Sequence, residues 1–205
     1  FSLMKTIYLD NAATSYPKPS EMIEAMRIFQ ENIGANPGRS GHGRSIDAGR
    51  TLYETREALA KLFHIDDPLR VVLTKNSTEA LNIALLGALR PGDHVITTGM
   101  EHNSVMRPLR YLESHGIELS VVSSSPQGEL DPADLSKTFR KNTKMVVMTH
   151  ASNVTGTIQP VAEVGRIVRE KDGVMFCVDA AQTAGALPID VEAMNIDLLA
   201  VTGHK

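Results

Sequence analysis

From residue 70 onward, short β-branched apolar runs alternate with helical patterns, and this alternation limits the fold more than any other feature of the chain. Residues 70–74, 94–98, 117–122, 144–149, 174–178 and 198–202 read as strands. Most are nearly continuous in apolar content, the pattern of a strand covered on both faces. The segments between them read as helices. Asn76-Ser77-Thr78-Glu79 resembles a capping box and opens a helix that Pro91-Gly92 stops near residue 90. Residues 105–115 form a second pattern ended by Gly116, Asp131-Pro132 opens a third, and 161–171 form a fourth, closed near Gly173. Repeated β-α-β alternation predicts an α/β fold, a mostly parallel sheet with helices on both faces.

The first seventy residues read differently. A helix is expected over 20–33, with Ser20 as N-cap, Met22, Met26, Phe29 and Ile33 on one face, and Gly34 closing it. A Gly/Pro/Asn loop follows over 34–43, then a second helix over 45–63 with Leu52, Leu59 and Leu62 on its apolar side. Phe1 to Leu3 look like vector residue before a start at Met4, and the segment is too short for a signal peptide.

Composition removes several classes of function. A net charge of −3 with interspersed signs and no basic-aromatic stripe argues against a nucleic-acid partner. No apolar run approaches the roughly 20 residues that span a bilayer. The single cysteine cannot pair within the chain, which fits a reducing cytoplasm. The histidines lack metal-ligand spacing, so no metal is expected.

In open parallel sheets ligands bind at the carboxyl ends of the strands. Five polar clusters fall there: Asn76 to Thr78, Glu101 to Asn103, Ser152-Asn153, Asp179 to Gln182, and Thr202 to Lys205. A lysine and an aspartate closing neighbouring strands suit pyridoxal phosphate. The lysine would form a Schiff base with the aldehyde, and the carboxylate would keep the ring nitrogen protonated. Gln182 is spaced to reach the phenolic oxygen. Ser77 and Thr78 open a helix whose amides and dipole suit a phosphate, although plain capping would use the same residues. Thr202 and His204 would add phosphate contacts. His102 either stacks on the ring and exchanges protons or is a loop histidine without a role. His42, in the glycine-flanked Ser40 to Arg44, is open between a site and a loop role. Cys177 lies inside a central strand and reads as core, not as a nucleophile.

The stretches Tyr8-Leu-Asp-Asn-Ala-Ala-Thr14, Ser77-Thr-Glu-Ala-Leu-Asn82, Glu101-His-Asn103, Ser152-Asn-Val-Thr-Gly-Thr157, Val178-Asp-Ala-Ala-Gln182 and Thr202-Gly-His-Lys205 resemble the class V aminotransferase group, and within it the cysteine desulfurases. The resemblance implies a fold-type-I large domain with a mostly parallel seven-stranded sheet. It makes residues 1–34 a segment serving a small domain and the active-site edge, and 35–205 the large pyridoxal-phosphate domain. It implies Lys205 and His102 as catalytic. Ser77, Thr78, His102, Asn153, Asp179, Gln182, Thr202, His204 and Lys205 would hold pyridoxal 5'-phosphate, and Ala12, Ala13 and Asn153 would lie near the substrate. L-cysteine as substrate, a homodimer and a sulfur-acceptor protein are further implications. A class V aminotransferase or lyase lacking the thiol is the alternative enzyme, and a non-catalytic cofactor-binding or interaction module the alternative of another kind. Two departures stand out. Lys75-Asn76-Ser77 replaces the glycine and threonine of many members, though Asn tolerates a left-handed backbone. The family's small domain, carboxylate-binding arginine and nucleophilic cysteine would follow Lys205, so the 205-residue chain alone is expected to be inactive.

Overall fold

The computed structural model describes residues 7–205, so the expected start at Met4 lies outside the described residues. Two compact units are seen, one ending at Val72 and the other spanning Leu73–Lys205.

In the first unit, α1 (Ser20–Ile28) runs into a π-helical turn (Phe29–Ile33), and Gly34 closes it at φ +51°, a left-handed conformation that glycine adopts without a Cβ penalty. Ser20 is the first helical residue and not the cap, since Pro19 precedes the helix in extended geometry without a side-chain cap bond. α2 (Gly43–Phe63) begins two residues before the expected start because His42 caps it, its Nδ1 accepting from the Ser45 amide at 3.2 Å. The buried side of α2 runs through Ala48, Ala60 and Phe63; Leu62 is exposed.

The second unit carries the alternation. Its elements are α3 (Ser77–Ala88), β1 (His94–Thr98), α4 (Asn103–Glu113), β2 (Glu118–Val122), α5 (Pro132–Ser136), β3 (Thr143–Thr149), α6 (Val161–Arg169), β4 (Met175–Asp179) and β5 (Leu198–Ala200). The five strands form one parallel sheet in the order β2-β1-β3-β4-β5. The parallel α/β expectation stands, with five strands among the described residues where seven were implied. Residues 71–74 form no ladder, and Val72 and Leu73 are exposed. A β-prone run becomes a strand only when a neighbour accepts its hydrogen bonds.

Packing explains why these strands sit centrally. Residues of β1, β3 and β4 are almost all buried, as sequences without hydrophobic alternation require. Leu81 and Leu85 of α3 and Val105, Leu109 and Leu112 of α4 form a core cluster with Val95, Met145, Val147 and Cys177. α6 packs so closely at Gly165 that a Cβ there would lie 1.9 Å from the Met194 carbonyl oxygen. β1 is flanked by β2 on one side and β3 on the other, so the chain reverses direction across the sheet at β1 and β3. That reversal opens a crevice at the strands' carboxyl ends.

Candidate active site

The crevice is lined by Ser77, Thr78, His102, Asn153, Asp179, Gln182, Thr202, His204 and Lys205, all nine residues expected to meet the cofactor. Asn76, Ser104, Thr149, Ala151 and Ala181 complete its wall. Four strand ends supply it: His102 follows β1, Asn153 follows β3, Asp179 closes β4, and Thr202 to Lys205 follow β5. A wider groove of about 480 Å³ between α3 and α4 shares Thr78, His102 and Ser104 with it. Ala12 and Ala13 lie in the first unit, in an exposed turn where the Ala13 amide donates to the Asp10 carbonyl at 3.1 Å. His42 is committed to capping α2.

At the start of α3 the Asn76 side chain accepts from the Glu79 amide at 2.9 Å, and the Glu79 carboxylate accepts from the Lys75 amide at 2.7 Å. The capping box therefore exists, shifted by one residue in its second bond. Asn76 is extended at φ −168°, so the turn needs no left-handed residue. Beside it the Ser77 hydroxyl is buried without a hydrogen-bond partner. A hydroxyl shut away from water at the positive end of a twelve-residue helix fits an anionic ligand oxygen.

Asp179 is 4% exposed, and Oδ1 accepts from the Ala181 amide at 3.0 Å. Burial pushes its carboxyl above the usual range; the Ala181 amide and the Lys205 charge pull the other way. A cation beside it would restore full ionisation, which fits a protonated ring nitrogen.

His102 caps α4. Its Nδ1 accepts from the Ser104 amide at 3.1 Å and meets the Ser104 hydroxyl at 2.8 Å. An amide can only donate, so this network assigns the neutral imidazole's proton to Nε2. Ser104 also pulls the Asp179 carboxyl down, so it stands between histidine and carboxylate. Sequence reasoning missed Ser104; its signal was a hydroxyl two residues after His102, in the first turn of the helix. It also passed over Glu101, whose carboxyl is enclosed although the residue as a whole is half-buried. Cys177 is 1% exposed in the core cluster, and burial pushes its thiol up to about 12, leaving it protonated and inert. No group of three His, Cys, Asp or Glu side chains among the described residues is placed to hold a metal.

A parallel α/β sheet whose crevice joins a lysine, a buried aspartate and a helix N-terminus places the chain among known proteins. Residues 7–205 match the family described as Aminotransferase class-V, and the chain belongs to that family, whose enzymes depend on pyridoxal phosphate. At the level of single proteins, it is 35% identical over 208 residues to a protein named cysteine desulfurase IscS from Dictyoglomus turgidum, covering 99% of this chain and 52% of that one. It is 36% identical over 200 residues to a probable cysteine desulfurase of Methanothermobacter thermautotrophicus, covering 97% and 49%. Among solved structures, the apo cysteine desulfurase from Thermococcus onnurineus NA1 superposes with a TM-score of 0.90 at 36% identity, covering 97% of this chain and 50% of that one. SspA in complex with cysteine does so at 0.90 and 31%, covering 97% and 57%. The chain thus spans about half the length of the curated relatives it matches.

Proposed function

We propose that this chain is the cofactor-holding part of a pyridoxal-phosphate-dependent cysteine desulfurase, which converts L-cysteine and an enzyme thiol into alanine and a persulfide. The observation that carries the reading is the single crevice shared by the Lys205 amine, the buried Asp179 carboxyl and the unpartnered Ser77 hydroxyl. When bound, pyridoxal phosphate supplies an aldehyde for the amine and an electron-accepting ring. Ser77, Thr78, Thr202 and His204 would hold its phosphate, Gln182 its phenolic oxygen, Asp179 its ring nitrogen and Asn153 its edge near the substrate. His102 would stack on the ring, presenting Nε2 because Nδ1 is engaged with α4. Lys205 would move the substrate's α-proton, with His102 Nε2 assisting.

Residues 1–34 would serve a small domain and the active-site edge, where Ala12 and Ala13 would approach the substrate, and 35–205 the large domain. A homodimer is supported by exposed Ile83 and Leu86 on α3 and Tyr111 on α4. A sulfur-acceptor protein would take the persulfide sulfur. A cytoplasmic location accords with the one free cysteine; no described helix is long and apolar enough to cross a membrane. The rival reading, a class V aminotransferase or lyase, would use the same crevice without a thiol nucleophile.

The test is borohydride reduction of the cofactor-loaded full-length protein, then peptide mass analysis. The adduct is expected on Lys205. An adduct on Lys75, or none on well-folded protein, would sink the reading. Alanine and sulfide formed from cysteine would separate desulfuration from its rival.

A further inference from the structure

Glu101 is a buried acid to which the proposed chemistry gives no task. It lies one residue before His102, in the turn between β1 and α4. Its Oε1 accepts from Thr98 Oγ1 at 2.6 Å and from the Thr149 amide at 3.0 Å. Thr98 ends β1, and Thr149 ends β3 as the ladder partner of Asp179. One oxygen therefore ties the turn carrying His102 to the ends of two central strands. The other oxygen, Oε2, is out of reach of solvent and has no hydrogen-bond partner. An ionised carboxylate would leave charge on that oxygen uncompensated; a proton there removes it.

The surroundings do not supply a compensating cation. β4 presents Asp179, a like charge, and Cys177, a thiol kept neutral by burial. β1 and β3 present the threonines at their ends. His150, the residue after β3, is turned to Thr183 Oγ1 at 2.9 Å and is held neutral by burial. His102 and Lys205 act on Asp179. Burial raises the Glu101 carboxyl to about 8, against the Thr98 and Thr149 hydrogen bonds and with help from Asp179.

We propose that Glu101 is a positioning residue that works as an undissociated acid: it pins the β1–α4 turn, and with it His102, to the end of β3, and leaves Asp179 the single anion behind the crevice. The proposal rests on the reading of Asp179 and His102 as cofactor contacts. When Glu101 ionises in mildly alkaline solution, a second negative charge arises behind the ring, and the protonation of whatever is bound there shifts with it.

The test uses the full-length protein and two variants. Glu101→Gln keeps the shape and the neutral charge but cannot ionise; Glu101→Ala removes the tie. Without cofactor, an infrared pH titration of the wild type is expected to show an undissociated carboxyl at neutral pH, lost with a midpoint near 8 and missing from Glu101→Gln. With pyridoxal phosphate, the absorbance of the bound cofactor is expected to show a step near the same pH that Glu101→Gln lacks. Glu101→Gln should hold its affinity within about twofold, and Glu101→Ala should lose about tenfold. An ionised Glu101 at neutral pH, or a Gln variant whose absorbance titrates as the wild type does, overturns the proposal. Wild-type protein that takes up no pyridoxal phosphate sinks the reading of the crevice instead, while the infrared titration still decides the state of Glu101.

Discussion

Asp179 shows how a single residue meets two opposed demands. It ends a strand buried on both faces, so burial works against its charge, while its Oδ1 accepts a hydrogen bond from the Ala181 amide. A ring nitrogen that carries a proton would satisfy it, and the carboxylate would keep that proton in place so that the ring can accept electrons. Asp179→Asn is therefore expected to reduce turnover by roughly 10²–10³-fold, the scale of losing a well-placed electrostatic partner. Cofactor affinity should change far less, because the lysine and the phosphate contacts remain. Wild-type turnover in a cofactor-loaded Asn variant would make Asp179 merely structural. Cys177 carries the opposite expectation. Cys177→Ala should cost about 1 kcal/mol of stability, read from a denaturant midpoint, and leave persulfide formation intact. Loss of the persulfide in folded protein would make Cys177 the nucleophile. That Asp179, Lys205 and His102 meet at one crevice was legible from sequence, because all three lie at or just beyond strand ends. Ser104 and Glu101 were not, because their importance lies in partners, Asp179 and Thr149, that only the folded sheet brings near.

Among the elements, helix ends carry more of the site than helix bodies. His102 and His42 each cap a helix through Nδ1, a use of histidine that sequence rules favouring Ser, Thr, Asp and Asn do not flag. The shift of α2's start by two residues follows from this. The strands were read almost to the residue where neighbours pair on both sides, as with β1 and β3. The run over 70–74 was misread because propensity is local and pairing is not. Gly165 is the sharpest element-level constraint: α6 meets the Met194 carbonyl where only a hydrogen atom fits. Gly165→Ala should lower stability by about 1–3 kcal/mol, measured by urea unfolding, because a backbone carbonyl cannot rotate aside as a side chain can. Unchanged stability would show that α6 shifts freely on the sheet.

At the scale of the molecule, the chain holds the candidate crevice and an inert thiol within about half the length of its relatives. The 205-residue chain alone is therefore expected to bind pyridoxal phosphate but not to turn over cysteine, since desulfuration needs a reactive thiol. Sulfide and alanine release would be compared between this chain and a protein extended to the length of its relatives. Sustained turnover by the shorter one would refute the expectation. The parallel order of the sheet also bears on time. β1 and β3 pair across the whole of α4, β2 and α5, so this central ladder closes only after all three have been made. Ser77 opens the first helix of the second unit and Lys205 follows its fifth strand. During synthesis on the ribosome, the two ends of the crevice are therefore separated by the translation of all five strands of the sheet, and a nascent chain holds no complete crevice until the residues after β5 have emerged.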